Sequence, residues 1–171
     1  MSELRSVRPE DASDAAGSVK SGRWLSAEEQ RAWRAYLESA KVLFDALDRQ
    51  LQREADMPHA YYEILVRLSE ADGRALRMSE LADITLSSRS RLSHAVARLE
   101  ERGWVLRENC ATDRRGQVAR LTDAGFDVLA AAAPGHVDAV RECVIDALSP
   151  DQLRHLAEIG EAIISSVARR D

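Results

Sequence analysis

The feature that most constrains the fold of this chain is the residue pattern between Met78 and Thr122, where short segments of different periodicity follow one another closely. Small apolar residues predict a short helix over 80–84, and an apolar repeat of three to four residues predicts a longer helix over 89–102. Gly103 then ends the second helix, because glycine tolerates the left-handed backbone found after helix ends. The pattern therefore begins with two helices joined by a tight turn.

Two strand-like runs follow the helix pair. Residues 104–109 and 118–121 have the composition of short strands, and the polar, glycine-containing stretch 111–117 joins them. A hairpin directly after a helix-turn-helix forms a wing. We therefore predict a mainly α-helical fold that contains a winged helix-turn-helix with a two-stranded β wing.

Further helices flank this unit on both sides. Apolar stripes predict a long helix that ends near Glu54, a second helix that begins at Pro58, and two more after the hairpin, the first of them kinked at Pro134-Gly135. The residues predicted to cap the helix N-termini all carry hydroxyl groups: Ser26, Ser79, Ser88, Thr122 and Ser149. Residues 1–23 lack periodicity and are predicted to be disordered.

The helix over 89–102 divides into two faces. Leu92, Val96 and Leu99 lie on one side and predict packing against a core. The other side carries side chains that can bond to base edges or phosphates: Ser88, Arg89, Ser90, Arg91, Ser93, His94 and Arg98. Arginines in the first turn of a helix oppose its macrodipole unless an anion such as a phosphate lies there. We therefore predict that this helix reads DNA through its N-terminal turns.

Charge is distributed unevenly along the chain, whose formal net charge is −5. Residues 86–120 contain eight arginines and four acidic residues, a net charge of +4, so the remainder carries −9. A basic module on an acidic body is typical of a DNA-binding protein with a separate body. On charge alone, a solvated arginine-rich face explains the same distribution equally well.

The predicted hairpin loop carries Asp113, Arg114, Arg115 and Gly116. Asp and Gly are common turn formers, but paired arginines at a loop tip favour a wing that enters a DNA minor groove. In this interpretation Asp113 holds Arg115 in place through an ion pair, which leaves Arg114 to contact phosphate.

At these motifs the chain resembles the MarR family of winged-helix regulators, over about residues 26–170. The resemblance rests on the order and spacing of short matches: Met78-Ser79-Glu80-Leu81-Ala82, Leu86-Ser87, Val96-Ala97-Arg98-Leu99-Glu100-Glu101-Arg102-Gly103-Trp104-Val105, Asp113-Arg114-Arg115-Gly116 and Leu121-Thr122-Asp123-Ala124-Gly125. It implies a homodimer whose first and last helices interleave, and whose two reading helices enter successive major grooves of palindromic double-stranded DNA. It makes Arg115 the wing-tip arginine, whereas His94 stands where many members have arginine and Arg89 where many have proline.

The resemblance also divides the chain into regions. It implies a helical dimerisation region over 24–56 and 123–171, and a DNA-binding domain over 57–122. It further implies a repressor that a small, aromatic or phenolic effector releases from DNA. The aromatic residues that line such an effector pocket, or else serve only as core, are Trp33, Tyr36, His59, Tyr61 and Tyr62.

Other classes of protein fit the sequence less well. It has no glycine-rich phosphate loop, no nucleophile and base at catalytic spacing, and no His or Cys pair at metal-ligand spacing, so we expect neither an enzyme nor a cofactor. Two alternatives are a thiol-based redox sensor that uses Cys110, and a winged-helix adaptor that does not contact DNA. Arginines at both the helix start and the loop tip disfavour the adaptor. No apolar run suits a signal peptide or a membrane span, so we expect a cytoplasmic protein.

Overall fold

The computed structural model describes residues 24–110 and 113–169, apart from the side chains of 113–115. The predicted disorder of 1–23 lies outside the described residues. The chain divides into two units, one up to Tyr36 and the other over Leu37–Asp171. The described part of the first unit holds the beginning of the first helix, and the second unit contains every other element.

The described residues form six α-helices and three short strands, which confirms the mainly α-helical fold class. In chain order they are α1 (Ala27–Ala55), α2 (His59–Glu70), β1 (Ala75–Arg77), α3 (Met78–Ile84), α4 (Arg89–Glu101), β2 (Val105–Cys110), β3 (Asp113–Leu121), α5 (Asp123–Val140) and α6 (Pro150–Ala168). A short 3-10 turn precedes β1, and one π-helical turn follows α5.

Hydroxyl caps fix the starts of four helices as predicted. Ser26 and Ser149 form capping boxes with residues three positions later. Ser88 accepts a hydrogen bond from the backbone N–H of Arg91 at 3.3 Å, and Thr122 caps α5 in the same way at 3.0 Å. Caps of this kind stabilise a helix by about 1 kcal/mol each. The start of α4 is therefore set by its local sequence.

The prediction that Ser79 caps α3 is wrong. The helix begins at Met78, and Arg77 occupies the cap position with an extended backbone (φ −62°, ψ 142°). The physical reason is that β1 leads directly into α3, so the chain enters the helix earlier than a cap at Ser79 requires. Ser79 therefore lies exposed in the first helical turn.

The sheet has three strands, one more than the predicted wing. β3 lies between β1 and β2 and pairs antiparallel with both, so that Leu76 faces Ala119 and Val105 faces Leu121. The two-stranded wing is present as the β2–β3 hairpin, and β1 extends its base. A strand of three residues is too short to be identified by alternation of apolar and polar residues, so the sequence pattern does not distinguish β1 as a strand.

The core is aliphatic and lies between the helices of the winged unit and the sheet. Leu65 of α2 and Leu81 of α3 are wholly buried there, together with residues of α4 and β2. Leu92, Val96 and Leu99 are the buried residues of α4, as the apolar repeat predicts. Because these three side chains point inward, the opposite face of α4 is turned to solvent.

Helix α5 passes close to α1. It continues through Pro134 as one helix, as expected from the sequence, and the kink expected at Pro134-Gly135 stays a prediction. A Cβ atom at Gly135 would lie 2.6 Å from Oε2 of Glu54 and 3.4 Å from Nε2 of Gln50, which are the ends of flexible side chains of α1. Gly135 therefore marks a point where α5 and α1 lie close together.

Helix α6 has no buried residue in the single chain. Leu153 is half-buried, and five other large apolar side chains of the helix are exposed: Leu156, Ile159, Ile163, Ile164 and Val167. A contiguous apolar stripe of this length marks an interaction surface. No helix among the described residues is both long enough and apolar enough to cross a lipid bilayer.

Candidate functional site

The polar face of α4 presents the residues that the sequence selects as DNA contacts. Ser93 is half-buried, and the remaining members of the set are exposed: Ser88, Arg89, Ser90, Arg91, His94 and Arg98. The division of the helix into two faces is therefore confirmed. Contact of this face with DNA stays a prediction.

Carboxylates neutralise most of the arginines around α4. Among the described side chains these ion pairs are Arg98–Glu101, Arg102–Asp56, Arg107–Glu100 and Arg120–Glu108. Arg89 and Arg91 differ, because neither has a carboxylate partner among the described side chains. Two uncompensated guanidinium groups at the positive end of a helix dipole attract an anion.

Arg98 is less available than the arginines at the helix start. Its Nη1 donates to Oε2 of Glu101 at 2.7 Å, and this hydrogen bond, together with the charge of the carboxylate, raises the pKa of Arg98. Contact with DNA would require Arg98 to exchange this carboxylate for a phosphate.

The turn between α3 and α4 exposes a leucine that is not among the DNA contacts predicted from the sequence. Leu86 is 94% exposed and has a φ of 49°. Left-handed backbone is uncommon for a bulky residue and costs about 1–2 kcal/mol. Exposure and a left-handed backbone therefore coincide at Leu86, beside the polar face of α4.

The wing residues lie at the beginning of β3. This strand starts at Asp113, so most of the predicted loop 111–117 belongs to a strand. The side chains of Asp113, Arg114 and Arg115 lie outside the described residues. Their ion pair and their contacts with DNA therefore stay predictions.

A polar cleft of about 370 Å³ separates α4 from the sheet. Arg77 and Ser79 line it from the junction of β1 and α3, Arg89 and Ser93 from α4, and Gln117 from β3. We call this set of five residues the polar cleft. Only Arg89 and Ser93 belong to the residues predicted from the sequence. The other three reach the cleft through the pairing of β1 with β3, which is not visible in the linear sequence.

A second cavity, of about 210 Å³, lies between α2 and α5. We call it the histidine cavity, and its lining residues are His59, Tyr62, Glu63, Val66, Arg67 and His136. The lining thus includes two of the predicted pocket residues, His59 and Tyr62. Tyr61 packs half-buried against the core. Trp33 and Tyr36 belong to the first unit, where their ring centroids are 6.1 Å apart.

His136 is the member of the histidine cavity that the sequence does not reveal. It is buried, with Nδ1 3.3 Å from Oε1 of Gln50 and its ring centroid 4.3 Å from that of Tyr62 and 5.6 Å from that of His59. Burial and, to a smaller extent, the charge of His59 lower the pKa of His136. Burial also raises the pKa of Tyr62. The cavity therefore offers a neutral imidazole and a neutral phenol to a ligand.

The lowered pKa of His136 predicts that acid destabilises the protein. An unfolded histidine takes up its proton near pH 6.5, whereas the folded chain resists protonation until a lower pH. The stability that neutral His136 contributes is therefore complete above about pH 6.5 and is lost as the pH falls through its folded pKa. We expect the free energy of urea unfolding to fall less between pH 7.5 and pH 5 in His136→Gln than in the wild type. His155→Gln, at an exposed position of α6, is the control and should follow the wild type.

The other candidate chemistries are not supported by any cluster. Within the described residues, no group of three His, Cys, Asp or Glu side chains is placed to hold a metal ion. Cys110 is half-buried at the end of β2. A redox role for this thiol stays a prediction.

Comparisons with known proteins agree with the winged-helix geometry. The MarR family model matches residues 55–116. The structure is similar to that of Sco3205, a MarR family transcriptional regulator from Streptomyces coelicolor in complex with DNA, with 58% identity, a TM-score of 0.82, and coverage of 85% of this chain and 91% of that chain. It is also similar to AbsC, a MarR family transcriptional regulator from the same organism, with 43% identity, a TM-score of 0.81, and coverage of 86% and 99%. The transcriptional regulator HosA of Escherichia coli O127:H6 is 32% identical over 95 residues, which are 55% of this chain and 69% of HosA.

Proposed function

This chain belongs to the MarR family of DNA-binding transcriptional regulators, and we propose that it is a homodimeric repressor that a small molecule releases from a palindromic operator. The observation that carries the proposal is the pair Arg89 and Arg91. Among the described side chains they have no carboxylate partner, whereas Arg98, Arg102, Arg107 and Arg120 each pair with a carboxylate. Such a pair suits the entry of α4 into a major groove.

The contacts with DNA divide into reading and positioning. In the proposed complex Arg91 donates two hydrogen bonds to the edge of a guanine, and Ser90 and His94 form hydrogen bonds with neighbouring bases or phosphates. Leu86, which is almost fully exposed, meets the methyl group of a thymine or the sugar backbone. On the wing, Arg115, supported by Asp113, enters the adjacent minor groove, and Arg114 contacts phosphate.

A second copy of the chain covers the apolar stripe of α6 in this proposal. A helix-turn-helix dimer binds two half-sites about 34–36 Å apart along the DNA, so a two-fold dimer matches a palindromic site. Two copies placed in this way occlude a promoter that overlaps the operator, which is the basis of repression.

The histidine cavity is the proposed effector site. A cavity of about 150 Å³ is large enough for benzene, so about 210 Å³ accommodates one aromatic ring with small substituents. The ring would stack against Tyr62, and a phenolic hydroxyl would bond to His136. Helix α2 lines the cavity and also contacts α3 and α4, so a ligand that moves α2 would move the reading helix. The ligand releases DNA only if it binds the released form more tightly than the DNA-bound form.

Substitution of Arg91 tests the reading assignment. We expect Arg91→Ala to weaken binding to an operator, selected from random duplexes with the wild-type protein, by about 5- to 150-fold, because one bidentate base contact contributes about 1–3 kcal/mol. Binding to unrelated duplex should weaken much less. Arg91→Lys keeps the charge but lacks the guanidinium fork, so it should restore non-specific binding and leave the operator preference reduced. Fluorescence anisotropy at several salt concentrations measures each of these affinities.

Arg154→Ala is the control for the loss of one positive charge. Arg154 lies on α6, where it is paired with Asp151 and Glu158, away from the polar face of α4. If the wild-type protein retarded no duplex DNA in a gel-shift experiment at low salt, the proposed function would be overturned. An operator preference that is equal in the wild type and in Arg91→Ala would overturn only the role of Arg91.

A further inference from the structure

The polar cleft carries an inference that rests on the proposed function and extends it. The cleft lies between two elements that would occupy different grooves of the same DNA, since α4 forms one wall and β3 of the wing forms another. Arg77 and Ser79, at the junction of β1 and α3, form the third wall. Arg77 and Ser79 do not lie on α4, so base reading by that helix does not require them.

We propose that the polar cleft binds one phosphodiester group of the DNA strand that separates the major groove read by α4 from the minor groove reached by the wing. Adjacent major and minor grooves of B-form DNA are divided by a sugar–phosphate backbone. If α4 fills the first groove and the wing reaches the second, this backbone must pass between them, over the cleft.

The chemistry of the cleft suits a phosphodiester. Arg77 and Arg89 approach it from two different elements and supply positive charge. Ser79 and Ser93 supply hydroxyl donors, and Gln117 supplies an amide donor from the sheet. Arginine is well matched to phosphate because its planar group presents several parallel N–H donors. No carboxylate lines the cleft among the described residues.

A backbone contact at this position fixes the register of the protein on DNA and carries no sequence information. Arg77 should therefore contribute equally to operator and to unrelated DNA, unlike Arg91. It should also contribute to the salt dependence, because each phosphate neutralised adds about 0.9 to the slope of log K against log salt. These two properties separate a phosphate clamp from a base-reading residue.

The test combines Arg77→Gln with neutral methylphosphonate groups placed one at a time along each operator half-site. Arg77→Gln should weaken binding to operator and to unrelated duplex by the same factor, about tenfold at low salt, and should reduce the salt slope by about 0.9. In the wild type, one methylphosphonate at the strand between the two grooves should weaken binding by a similar factor. In Arg77→Gln the same methylphosphonate should have a clearly smaller effect than in the wild type, because one of the two arginines that contact this phosphate is already lost while Arg89 remains.

Two further variants make the result specific. Arg154→Gln removes one positive charge on α6 and should retain the full methylphosphonate effect. Ser79→Ala keeps the charge of the cleft and should give a smaller loss at the same phosphate, which guards against misfolding of Arg77→Gln. Circular dichroism melting of every variant checks that the fold is kept.

The possible outcomes are distinct. Loss of affinity confined to the operator, or no loss at all in Arg77→Gln, would overturn the inference while leaving the proposed function intact. A second result would also overturn it. If inorganic phosphate at constant ionic strength competed with DNA in the wild type but not in Arg77→Gln, and no methylphosphonate position had a smaller effect in Arg77→Gln, the cleft would bind a free anion and not the DNA strand. Failure of the wild type to bind any duplex would instead contradict the proposed function itself.

Discussion

Leu156→Glu is expected to convert the protein into a monomer and to remove most of its operator affinity. Leu156 lies in the apolar stripe of α6 and is 47% exposed in the single chain. In the proposed dimer this side chain is covered by the second copy. A carboxylate at this position would have to be buried without a partner, which an interface tolerates poorly.

The expected effect on DNA binding follows from the linkage between the two half-sites. When one subunit binds, the second is held close to its own half-site, and linkage of this kind strengthens binding by about 10²- to 10⁴-fold. A monomer loses this gain. Leu156→Glu should therefore bind a full operator no more tightly than a single half-site, whereas the wild type should prefer the full operator strongly.

The winged unit should survive this substitution. No residue of α6 is buried in the single chain, so the aliphatic core of the winged unit does not depend on α6. Sedimentation velocity at micromolar concentration measures the oligomeric state, and anisotropy on full and half operators measures the affinities. A variant that sediments as a dimer would contradict the assignment of the α6 stripe to the subunit interface.

Ser165→Glu is the matched control. Ser165 follows Leu156 by nine residues, about two and a half turns at 3.6 residues per turn, so it lies on the opposite side of α6. Like Leu156→Glu, the substitution Ser165→Glu adds one negative charge to α6, at an exposed position. We expect Ser165→Glu to remain dimeric and to keep the preference for the full operator.

The sequence predicts the fold well wherever local chemistry decides the outcome. Ser88 and Thr122 cap α4 and α5 because a hydroxyl that accepts a backbone N–H needs only its own neighbours. Gly103 ends α4 with a φ of 72°, a conformation that glycine adopts easily. The two faces of α4 follow from its apolar repeat. Each of these features depends on residues a few positions apart.

Features that depend on distant residues escape the sequence. β1 exists because its three residues pair with β3, and this pairing moves the start of α3 from the predicted Ser79 cap to Met78. The same pairing brings Arg77 to the polar cleft.

The histidine cavity shows the same limit. His59 and Tyr62 are predictable as candidates because aromatic residues cluster at the start of α2. His136 lies far along the chain in an apolar helix, where a lone histidine suggests nothing in particular. Its role emerges from contacts with Gln50 of α1 and Tyr62 of α2, which the fold alone brings together.

Gly125→Ala is expected to destabilise the protein by at least about 1–3 kcal/mol, the usual effect of forcing a methyl group into a packed core. Gly125 is buried in the first turn of α5, where the chain leaves β3. A Cβ atom there would overlap the carbonyl oxygen of Trp104 and would lie 2.8 Å from Cδ1 of Leu121. The nearest obstacle is backbone, which cannot rotate away as a flexible side chain can.

The neighbouring hydrogen bonds prevent the backbone from relaxing. The backbone N–H of Thr122 donates to the carbonyl oxygen of Trp104 at 3.0 Å, and its hydroxyl donates to that of Gly103 at 2.8 Å. These bonds tie the start of α5 to the segment that follows α4, so a shift of α5 would break them. The position of the wing relative to α4 depends on the same junction.

Chemical denaturation measures the predicted loss. Ala124→Ser, one residue earlier and exposed, serves as the control and should change the free energy of unfolding by less than about 0.5 kcal/mol. Thr122→Ala should cost about 1 kcal/mol through loss of the cap, and should be less damaging than Gly125→Ala. If Gly125→Ala were as stable as the wild type, the close approach of α5 to Trp104 would not be a constraint on the fold. In that case nothing at this position would require glycine, because alanine suits the first turn of a helix at least as well.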